Sequence, residues 1–577
     1  MKGFFNKYLH IDLTKKRHSD LFIEDNIYEN YLDGKGLAVW LLLKYQPPMT
    51  PALSSDNPFI IGLGPITDTP IFGSSRYGLY TKSPLTGIFC ESYSGGKVPE
   101  KISRCGYDAI VITGKSEDLI CLEIYPEKVV FKNADDLKGM DTIQTETVLN
   151  ERHGKESGSI VIGPAGERLI PFSIVSNDLW RCAGRAGAGT VMGSKNIKAI
   201  VFKGDIKRPI ADEMACQEFA KKTFQRCKDL PTTKAYKEKG TPMMVDLLNS
   251  FNAFPTQYWH KGFFDKHKEI NSDAMRDRMD VKPHACAKCF TACGKLSTIR
   301  QGPFKGLTVE GPEYETIYAF GGLCMIANIE QITYINDLCD RLGIDTITTG
   351  NLVALAMEAS SLGKINEQIR YGNFDDTVKL IKDIANSEGL GAILSKGIKE
   401  ASKQLKMQDF AIHVKGLEPA GYDPRRLKGM SLAYATSDRG ACHLRSTFYK
   451  AELSGMIAPE TLDGKVELFI DFEDRLTLMD TLILCRFYRD FYLWVELSEI
   501  IRLTTGMDLS RQRLQEIALD ITNLIRKYNL QEGMTDSDNT IPDRFFREPL
   551  ENVKDNLTRD DFEGMIKNYY KIRKWQY

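Results

Sequence analysis

Residues 198–230 read KAIVFKGDIKRPIADEMACQEFAKKTFQRCKDL, and the character of the chain changes inside them. Lys198–Gly204 is a short β-branched and aromatic run closed by glycine, the pattern of a buried strand; from Pro209 onward apolar residues recur at three and four, the pattern of an amphipathic helix. Toward the N-terminus, PFIIGLGPIT, YDAIVITGK, LICLEIYPEKVVF and SIVIGPAG repeat the strand pattern between glycine- and proline-containing turns. Toward the C-terminus, NIEQITYINDLCDRLG and NLVALAMEASSLG are helical in period, the former stopped by Gly343 at the position after the helix end. From about Ala411 the chain is again mostly helical, with MDTLILCRFYRDFYLWVELSEIIRL and SRQRLQEIALDITNLIRKY as the clearest periodic segments. The reading is an α+β protein: a β-rich domain over residues 1–206, a mainly helical domain over 207–410 and a second over 411–577. A length of 577 residues agrees with roughly three domains. There is no repeat at a fixed period and no low-complexity tract, which argues against a solenoid.

Composition removes several function classes. The 76 Lys and Arg balance 77 Asp and Glu, so bulk electrostatics do not draw this chain to nucleic acid or to an anionic membrane. No apolar run approaches the ~18–20 residues that span a bilayer, and MKGFFNKYLHIDLTKKR is charged too early for a signal peptide, so a cytoplasmic location is expected. Thirteen cysteines, an odd number in a large chain of this kind, point to thiolate clustering rather than to a disulfide framework.

The sharpest local signal is His284-Ala-Cys286-Ala-Lys-Cys289-Phe-Thr-Ala-Cys293-Gly294. Three thiolates so close can wrap one metal centre. Zinc normally draws a second CxxC or a His pair at short range, and none follows; an iron–sulfur cube needs four thiolates, the last of which can be remote. The spacing favours the cube and leaves Cys324, Cys339, Cys442 and Cys485 as candidates for the fourth ligand. In the first domain, Gly73-Ser-Ser-Arg76-Tyr-Gly78, Ser94-Gly95-Gly96 and Arg181-Cys182-Ala-Gly184-Arg185 combine close backbone approach with guanidinium forks, as a phosphorylated cofactor requires, although tight turns with salt bridges give the same text. Neither a dinucleotide-binding nor a P-loop fingerprint is present. Glu310, Glu313 and Glu315 precede an apolar stretch, and His443 lies in Asp438-Arg439-Gly-Ala-Cys442-His443-Leu-Arg445. A buried Glu or His with a tuned pKa can move the proton that accompanies carbonyl oxidation; favourable charge at a helix N-terminus and a hydrogen-bonded core histidine are the plainer readings. Asp340-Arg-Leu-Gly-Ile344-Asp345 and Asp480-Thr-Leu-Ile-Leu484-Cys485 share a form that suggests two related anchor loops or, more simply, two helix ends.

Together these pieces resemble the tungsten-containing aldehyde:ferredoxin oxidoreductase family along nearly the whole chain: HIDLTKK, DGKGLAVWLL, RYGLYTKSPLTG, GYDAIVITGK, IGPAGE, RAGAGTVMGSKNIKAI, GPEYET, CDRLGIDTITTG, YDPR, PDRFFREPL and YYKIRKW occur in one order. The resemblance implies a β-rich cofactor domain with two helical domains around it. It implies tungsten, or molybdenum, held by two pterins whose phosphates share Mg²⁺, beside one 4Fe–4S cluster. Carried over by motif, Cys286, Cys289, Cys293 and Cys485 would ligate the cluster. Arg76, Tyr93, Gly95, Arg181, Cys182, Gly184 and Arg185 would lie along the first-domain side of the pterins, Asp340, Ile344 and Asp345 would serve one pterin, Asp480, Leu484, Cys485 and Arg486 the other, with Arg439 and Arg445 nearby. Glu315 would be the general base and His443 a hydrogen-bond donor.

Three departures stand out: Ile483 replaces a glycine of the second anchor loop, Tyr93 stands where archaeal members carry Asn, and Tyr334-Ile-Asn-Asp337 replaces the ExxH element that bridges some family dimers through a metal. Whether the chain forms a homo- or hetero-oligomer therefore stays open. The implied reaction is oxidation of a small-molecule aldehyde to a carboxylic acid, reversible with a sufficiently reducing carrier, with electrons passing to ferredoxin or a cluster-bearing, ferredoxin-like subunit. The alternatives are reduction of an aromatic acyl-CoA, a guanine-dinucleotide molybdoenzyme, and a pterin-free iron–sulfur electron-transfer or scaffold subunit.

Overall fold

The computed structural model describes residues 1–576. The strand-like runs of the first third form two six-stranded sheets. The first contains β1 (Lys7–Asp12), β2 (Arg17–Phe22), β3 (Phe59–Gly62), β4 (Tyr77–Lys82), β5 (Phe89–Ser94) and β6 (Ala109–Thr113), in the order β2-β1-β6-β3-β4-β5. The second contains β7 (Ile120–Ile124), β8 (Val129–Asn133), β9 (Gly158–Val161), β10 (Val175–Asn177), β11 (Arg181–Ala183) and β12 (Ile197–Phe202), in the order β11-β10-β9-β12-β7-β8. Read from opposite ends, the two orders coincide, and in each sheet only one pair is parallel, β1 with β6 and β7 with β12. The domain is thus duplicated in topology, with Gly64-Pro65 after β3 answered by Gly163-Pro164 after β9. The absence of a fixed sequence period did not exclude this, because β-pairing is set by alternation and burial rather than by identical residues.

Alternation explains the layering. Leu9, Ile11, Ile61, Leu79 and Ile110 of the first sheet face Leu122, Ile160, Val175 and Ile200 of the second in one apolar core. The opposite face of the first sheet presents Tyr8, Ile60, Tyr80 and Val111 to helices Gly34–Tyr45, Lys465–Thr481, Trp494–Thr505 and Arg511–Gln531. A second large core gathers helices Ile329–Leu342, Thr346–Ser361, Phe374–Asn386, Lys428–Thr436 and Arg559–Arg573. Helices of the last third therefore serve both cores. As the spacing predicts, a helix forms over Glu213–Cys227 and Gly343 ends Ile329–Leu342 in the left-handed conformation; the first helix is capped by Asp212.

MDTLILCRFYRDFYLWVELSEIIRL is not one helix. It breaks after Thr481 and resumes at Trp494. Leu482, Ile483, Leu484, Tyr488 and Tyr492 are buried between the first sheet and neighbouring helices, so apolar density persists where the helix does not. The break has the same backbone form as the end of Ile329–Leu342. The N–H of Leu484 donates to Met479 O at 2.7 Å, as that of Ile344 does to Cys339 O at 3.0 Å, and Ile483 (φ 56) occupies the left-handed position that Gly343 (φ 76) takes in the other loop. A β-branched residue there costs about 1–2 kcal/mol. Complete burial of the Ile483 side chain returns about 1.5–3 kcal/mol, so the loop keeps its shape without glycine. Both loops dock on the duplicated domain through the next residue: Asp345 N–H donates to Phe172 O at 3.1 Å and Cys485 N–H to Gly73 O at 2.9 Å. Gly64 and Gly163 lie against the carbonyls of Leu482 and Leu342, so close that a Cβ on either would collide with the carbonyl oxygen.

Candidate active site

The cysteine run is the loop of a hairpin. β13 (Met279–His284) and β14 (Gly294–Ile299) pair antiparallel with His284 opposite Gly294, which leaves Cys286, Cys289 and Cys293 in the connection. Lys288 and Ala292, the residues before Cys289 and Cys293, have positive φ, which curls the loop on itself. Gly73 joins this loop to the remote cysteine: its N–H donates to Lys288 O at 2.8 Å while its carbonyl accepts from Cys485 N–H. Four thiols, those of Cys286, Cys289, Cys293 and Cys485, consequently line one cavity of about 290 Å³. Cys324 and Cys339 are buried in the helical core, and Cys442 lies behind the neighbouring space, its sulfur accepting from Arg439 Nη2 at 3.0 Å. Gly95 approaches this cavity so closely that a Cβ would stand 2.8 Å from Cys286 Sγ. Burial pushes the Cys286 thiol up to about 11 and raises that of Cys293 well above its ordinary value, while the charge of Arg181 works the other way on both. Among the described residues, no three His, Cys, Asp or Glu side chains are gathered tightly enough to hold a single metal ion.

A second cavity of about 390 Å³ adjoins the first. Arg76, Tyr93, Cys182, Glu313, Glu315, Cys485 and Phe487 line both. Gly95, Arg181 and Asp340 face the thiol-lined part; Gly184, Arg185, Asp345, Arg439, His443, Arg445, Asp480, Leu484 and Arg486 face the other. Of the ligand and pterin-site residues that the resemblance implies, Ile344 alone lines neither space: it is buried beside Ser173 and shapes its loop. Tyr334 and Asp337, at the site of the missing ExxH element, are engaged within the chain, Tyr334 stacking on Phe304 at 4.7 Å and Asp337 pairing with Arg341 at 2.8 Å.

The second space is held open by buried charge. Asp480, in the last turn of its helix, accepts from Arg445 at 2.6 Å and also from Arg486. Arg445 in turn pairs with Glu91 of β5, and Glu91 accepts from Lys35 at 3.1 Å, which itself reaches Asp438 at 2.6 Å. Burial works against the Glu91 carboxylate, yet Arg445, Lys35 and Arg439 hold its pKa well below the usual range. Glu91 and Lys35 escaped sequence reasoning; the available signal was a lone Glu inside the strand FCESYS. Asp345 caps helix Thr346–Ser361, accepting from Ile347 N–H at 3.0 Å, and pairs with Arg185 at 2.9 Å, so capping and site-building coexist in one residue. The Nε atoms of Arg439, Arg445, Arg486 and Arg489 are buried without a hydrogen-bond partner among the described residues. Unanswered guanidinium donors around a cavity suit an anionic, heteroatom-rich ligand such as a phosphorylated pterin.

At the junction stand Glu315 and His443. Glu315 leaves a single helical turn, Tyr314–Thr316, that continues into a π-helical segment over Ile317–Leu323. Its Oε2 accepts from Gly421 N–H at 3.0 Å, and Oε1 stands 3.4 Å from His443 Nε2. Burial pushes the Glu315 carboxyl up to about 7, against the Gly421 N–H and the charge of Arg185. His443 is held well below its ordinary value by burial and by Arg185, Arg439, Arg445 and Arg489, so it is neutral. It stacks on Tyr422, which stacks on Tyr449 with ring centres 3.9 Å apart. The wall of Tyr236, Tyr422, Tyr449 and Phe487 was not legible from spacing.

Two family models match the chain: aldehyde ferredoxin oxidoreductase, N-terminal domain, over residues 8–204, and aldehyde ferredoxin oxidoreductase, domains 2 & 3, over residues 218–577. Similar proteins include the tungsten-containing aldehyde ferredoxin oxidoreductases of Pyrococcus furiosus and Thermococcus kodakarensis, each 32% identical, covering 100% of this chain and 97% of theirs. The aliphatic sulfonate oxidoreductase, WOR-like subunit, of Pyrococcus furiosus is 27% identical over 99% of this chain and 94% of its own. Among solved structures, the active site complex BamBC of benzoyl coenzyme A reductase with 1,5-dienoyl-CoA superposes with a TM-score of 0.84 at 21% identity, covering 100% of this chain and 95% of that one, which shows a shared fold. This chain is a member of the tungsten-containing aldehyde ferredoxin oxidoreductase family, an oxidoreductase family.

Proposed function

We propose that this protein oxidises an aldehyde to a carboxylic acid and passes the electrons through one 4Fe–4S cluster to ferredoxin or a ferredoxin-like subunit. The observation that carries the proposal is the adjacency of the two cavities: one is lined by four thiols, the other by the Glu315–His443 pair, and Arg76, Glu315 and Cys485 line both. Four thiols lining one cavity support a cube, which takes one thiolate per iron. Cys286, Cys289, Cys293 and Cys485 would hold it. The arginines of the second space, with Tyr93, Gly95, Cys182, Gly184 and the Asp340–Asp345 and Asp480–Cys485 loops, would hold two pterins and the Mg²⁺ between their phosphates.

When bound, tungsten or molybdenum in this bispterin supplies the two-electron redox centre. The chain's residues orient the carbonyl and move protons. Glu315, with a pKa near neutrality and one oxygen fixed by Gly421, accepts the proton of the attacking water. Neutral His443 donates an N–H to the carbonyl oxygen as negative charge develops there. The aromatic wall keeps bulk water away. One aldehyde and one water yield one acid, two protons and two electrons, and the electrons leave singly. Glu315→Gln with metal and cluster retained should lose most of its aldehyde oxidation, by a factor of about 10²–10⁴; unchanged turnover removes Glu315 from the reaction. Turnover of an aromatic acyl-CoA without aldehyde oxidation would replace the proposed substrate class.

A further inference from the structure

Behind the second cavity lies a carboxyl that the proposed reaction does not use. Glu418 is fully buried and lines neither cavity, whereas its neighbours Arg185 and Asp345 line the second. Two carboxyls thus face one guanidinium, Arg185 standing 2.9 Å from Asp345 and 3.7 Å from Glu418. The Thr348 hydroxyl lies between the two, 2.7 Å from Glu418 Oε2 and 2.9 Å from Asp345 Oδ2. Both separations are those of full hydrogen bonds. A hydroxyl has one proton to give, so with both carboxyls charged one of these contacts would set oxygen lone pairs face to face. A proton on Glu418 Oε2 removes the conflict: Glu418 donates to Thr348, Thr348 donates to Asp345, and the charge stays opposite Arg185. A proton on Asp345 instead would leave the nearer carboxyl of the ion pair uncharged. The other Glu418 oxygen, Oε1, is buried without a hydrogen-bond partner among the described residues, which a charged carboxylate tolerates far worse than a neutral acid. Burial pushes the Glu418 carboxyl up to about 7, against the charge of Arg185. The phenols of Tyr258 and Tyr318 also face it, and burial raises the pKa of both.

From Glu418 the chain runs as a strap to Tyr422, and each of its carbonyls is taken by a buried donor. Arg185 Nη2 donates to Glu418 O at 3.0 Å, Tyr318 to Pro419 O at 2.7 Å, Tyr314 to Gly421 O, and Tyr434 to Ala420 O at 3.0 Å and Tyr422 O at 3.1 Å. The same strap supplies the Gly421 N–H that fixes Glu315 at 3.0 Å. Glu418 therefore stands at one end of a segment whose other end holds the proposed base.

We propose that Glu418 is a positioning residue that holds a proton and, through Thr348, fixes Asp345 and Arg185 against the cofactor. The role rests on the bispterin reading above, because Asp345 and Arg185 face the space assigned to the pterins. With the proton in place, Asp345 has Thr348 on one side and Arg185 on the other, and the guanidinium is set between Asp345 and the Glu418 carbonyl. Without it, two like charges would oppose each other across one hydroxyl, and the strap that carries Gly421 would shift with Glu418.

The test uses the full-length protein, purified anaerobically, with Glu418→Gln, Glu418→Ala and Thr348→Val made separately. A glutamine amide can donate to Thr348 as the protonated acid does, so Glu418→Gln should keep the pterin content of the unmodified protein. Glu418→Ala and Thr348→Val should hold pterin about tenfold more weakly, read as pterin lost per chain during gel filtration. Infrared difference spectra, unmodified protein minus Glu418→Gln at pH 6, should show the carbonyl band of a neutral carboxylic acid, which shifts in heavy water and gives way to carboxylate bands by pH 9. Carboxylate bands alone at pH 6 overturn the proposal. So does a loss of pterin from Glu418→Gln equal to that from Glu418→Ala, or full retention by both Glu418→Ala and Thr348→Val. Glutamine preserves the shape of the side chain, so the infrared comparison stays decisive if the alanine variant does not fold. An unmodified protein without pterin would end the bispterin reading instead, while the infrared band, which needs no cofactor, would still decide whether Glu418 holds the proton.

Discussion

Glu315 offers the most quantitative prediction. Burial places its pKa at about 7, so about a tenth of the free protein carries the carboxylate at pH 6 and about nine-tenths at pH 8. If this carboxylate takes the proton of water, kcat/KM for an aldehyde should rise about tenfold between those values and then level off. His443 adds no second limb in this range, because burial and four arginines keep it neutral throughout. Glu315→Gln keeps the shape and the Gly421 contact but cannot take a proton. It should lower kcat/KM by a factor of about 10²–10⁴ and remove the slope. The assay is initial aldehyde-dependent dye reduction from pH 5.5 to 8.5, with tungsten, iron and pterin contents measured for each preparation. A fully loaded Gln variant that retains the same pH limb would refute the reasoning, since another group would then be titrating.

Other residues give separate tests. Cys485→Ser should lower the iron content or convert the cluster to a three-iron form visible by electron paramagnetic resonance, whereas Cys324→Ser should leave the cluster signal unchanged. Gly163→Ala and Gly64→Ala should each push a helix-end loop off the first domain, and the purified protein should carry less pterin; full loading of both would show that the loops tolerate the displacement. Glu91→Gln leaves the buried Lys35 and Arg445 short of counter-charge and should destabilise the holoprotein by about 3 kcal/mol, read as a lower thermal midpoint at fixed scan rate.

Legibility in the sequence followed the range of the forces involved. The change from strands to helices near Pro209 is local patterning and could be read directly. So could CxxCxxxC, because a hairpin loop keeps three thiols together whatever lies around it. Cys485 was only one of four candidates by spacing, since the Gly73 peptide that brings it to the loop acts between segments hundreds of residues apart. The duplicated sheets were hidden for a related reason: β3 and β9 occupy matching places with different residues, and only their Gly-Pro exits look alike. Glu91 and Lys35 announce nothing locally. Their importance comes from burial beside Arg445 and Asp480, which no periodicity encodes. The run from Met479 misled as a helix because a buried irregular segment is as apolar as a buried helix. Ile483 shows a position where packing outweighs backbone preference.

The central claim is that four thiols and a guanidinium-lined space accept two cofactors side by side. The most direct measurement is the stoichiometry of iron, sulfide, tungsten, molybdenum and pterin in anaerobically purified protein. The account predicts about four iron and four sulfide per chain, with two pterins for each tungsten or molybdenum. Iron and sulfide without pterin or either heavy metal would contradict it and leave an electron-transfer or scaffold subunit; zinc in place of iron would remove the redox function altogether.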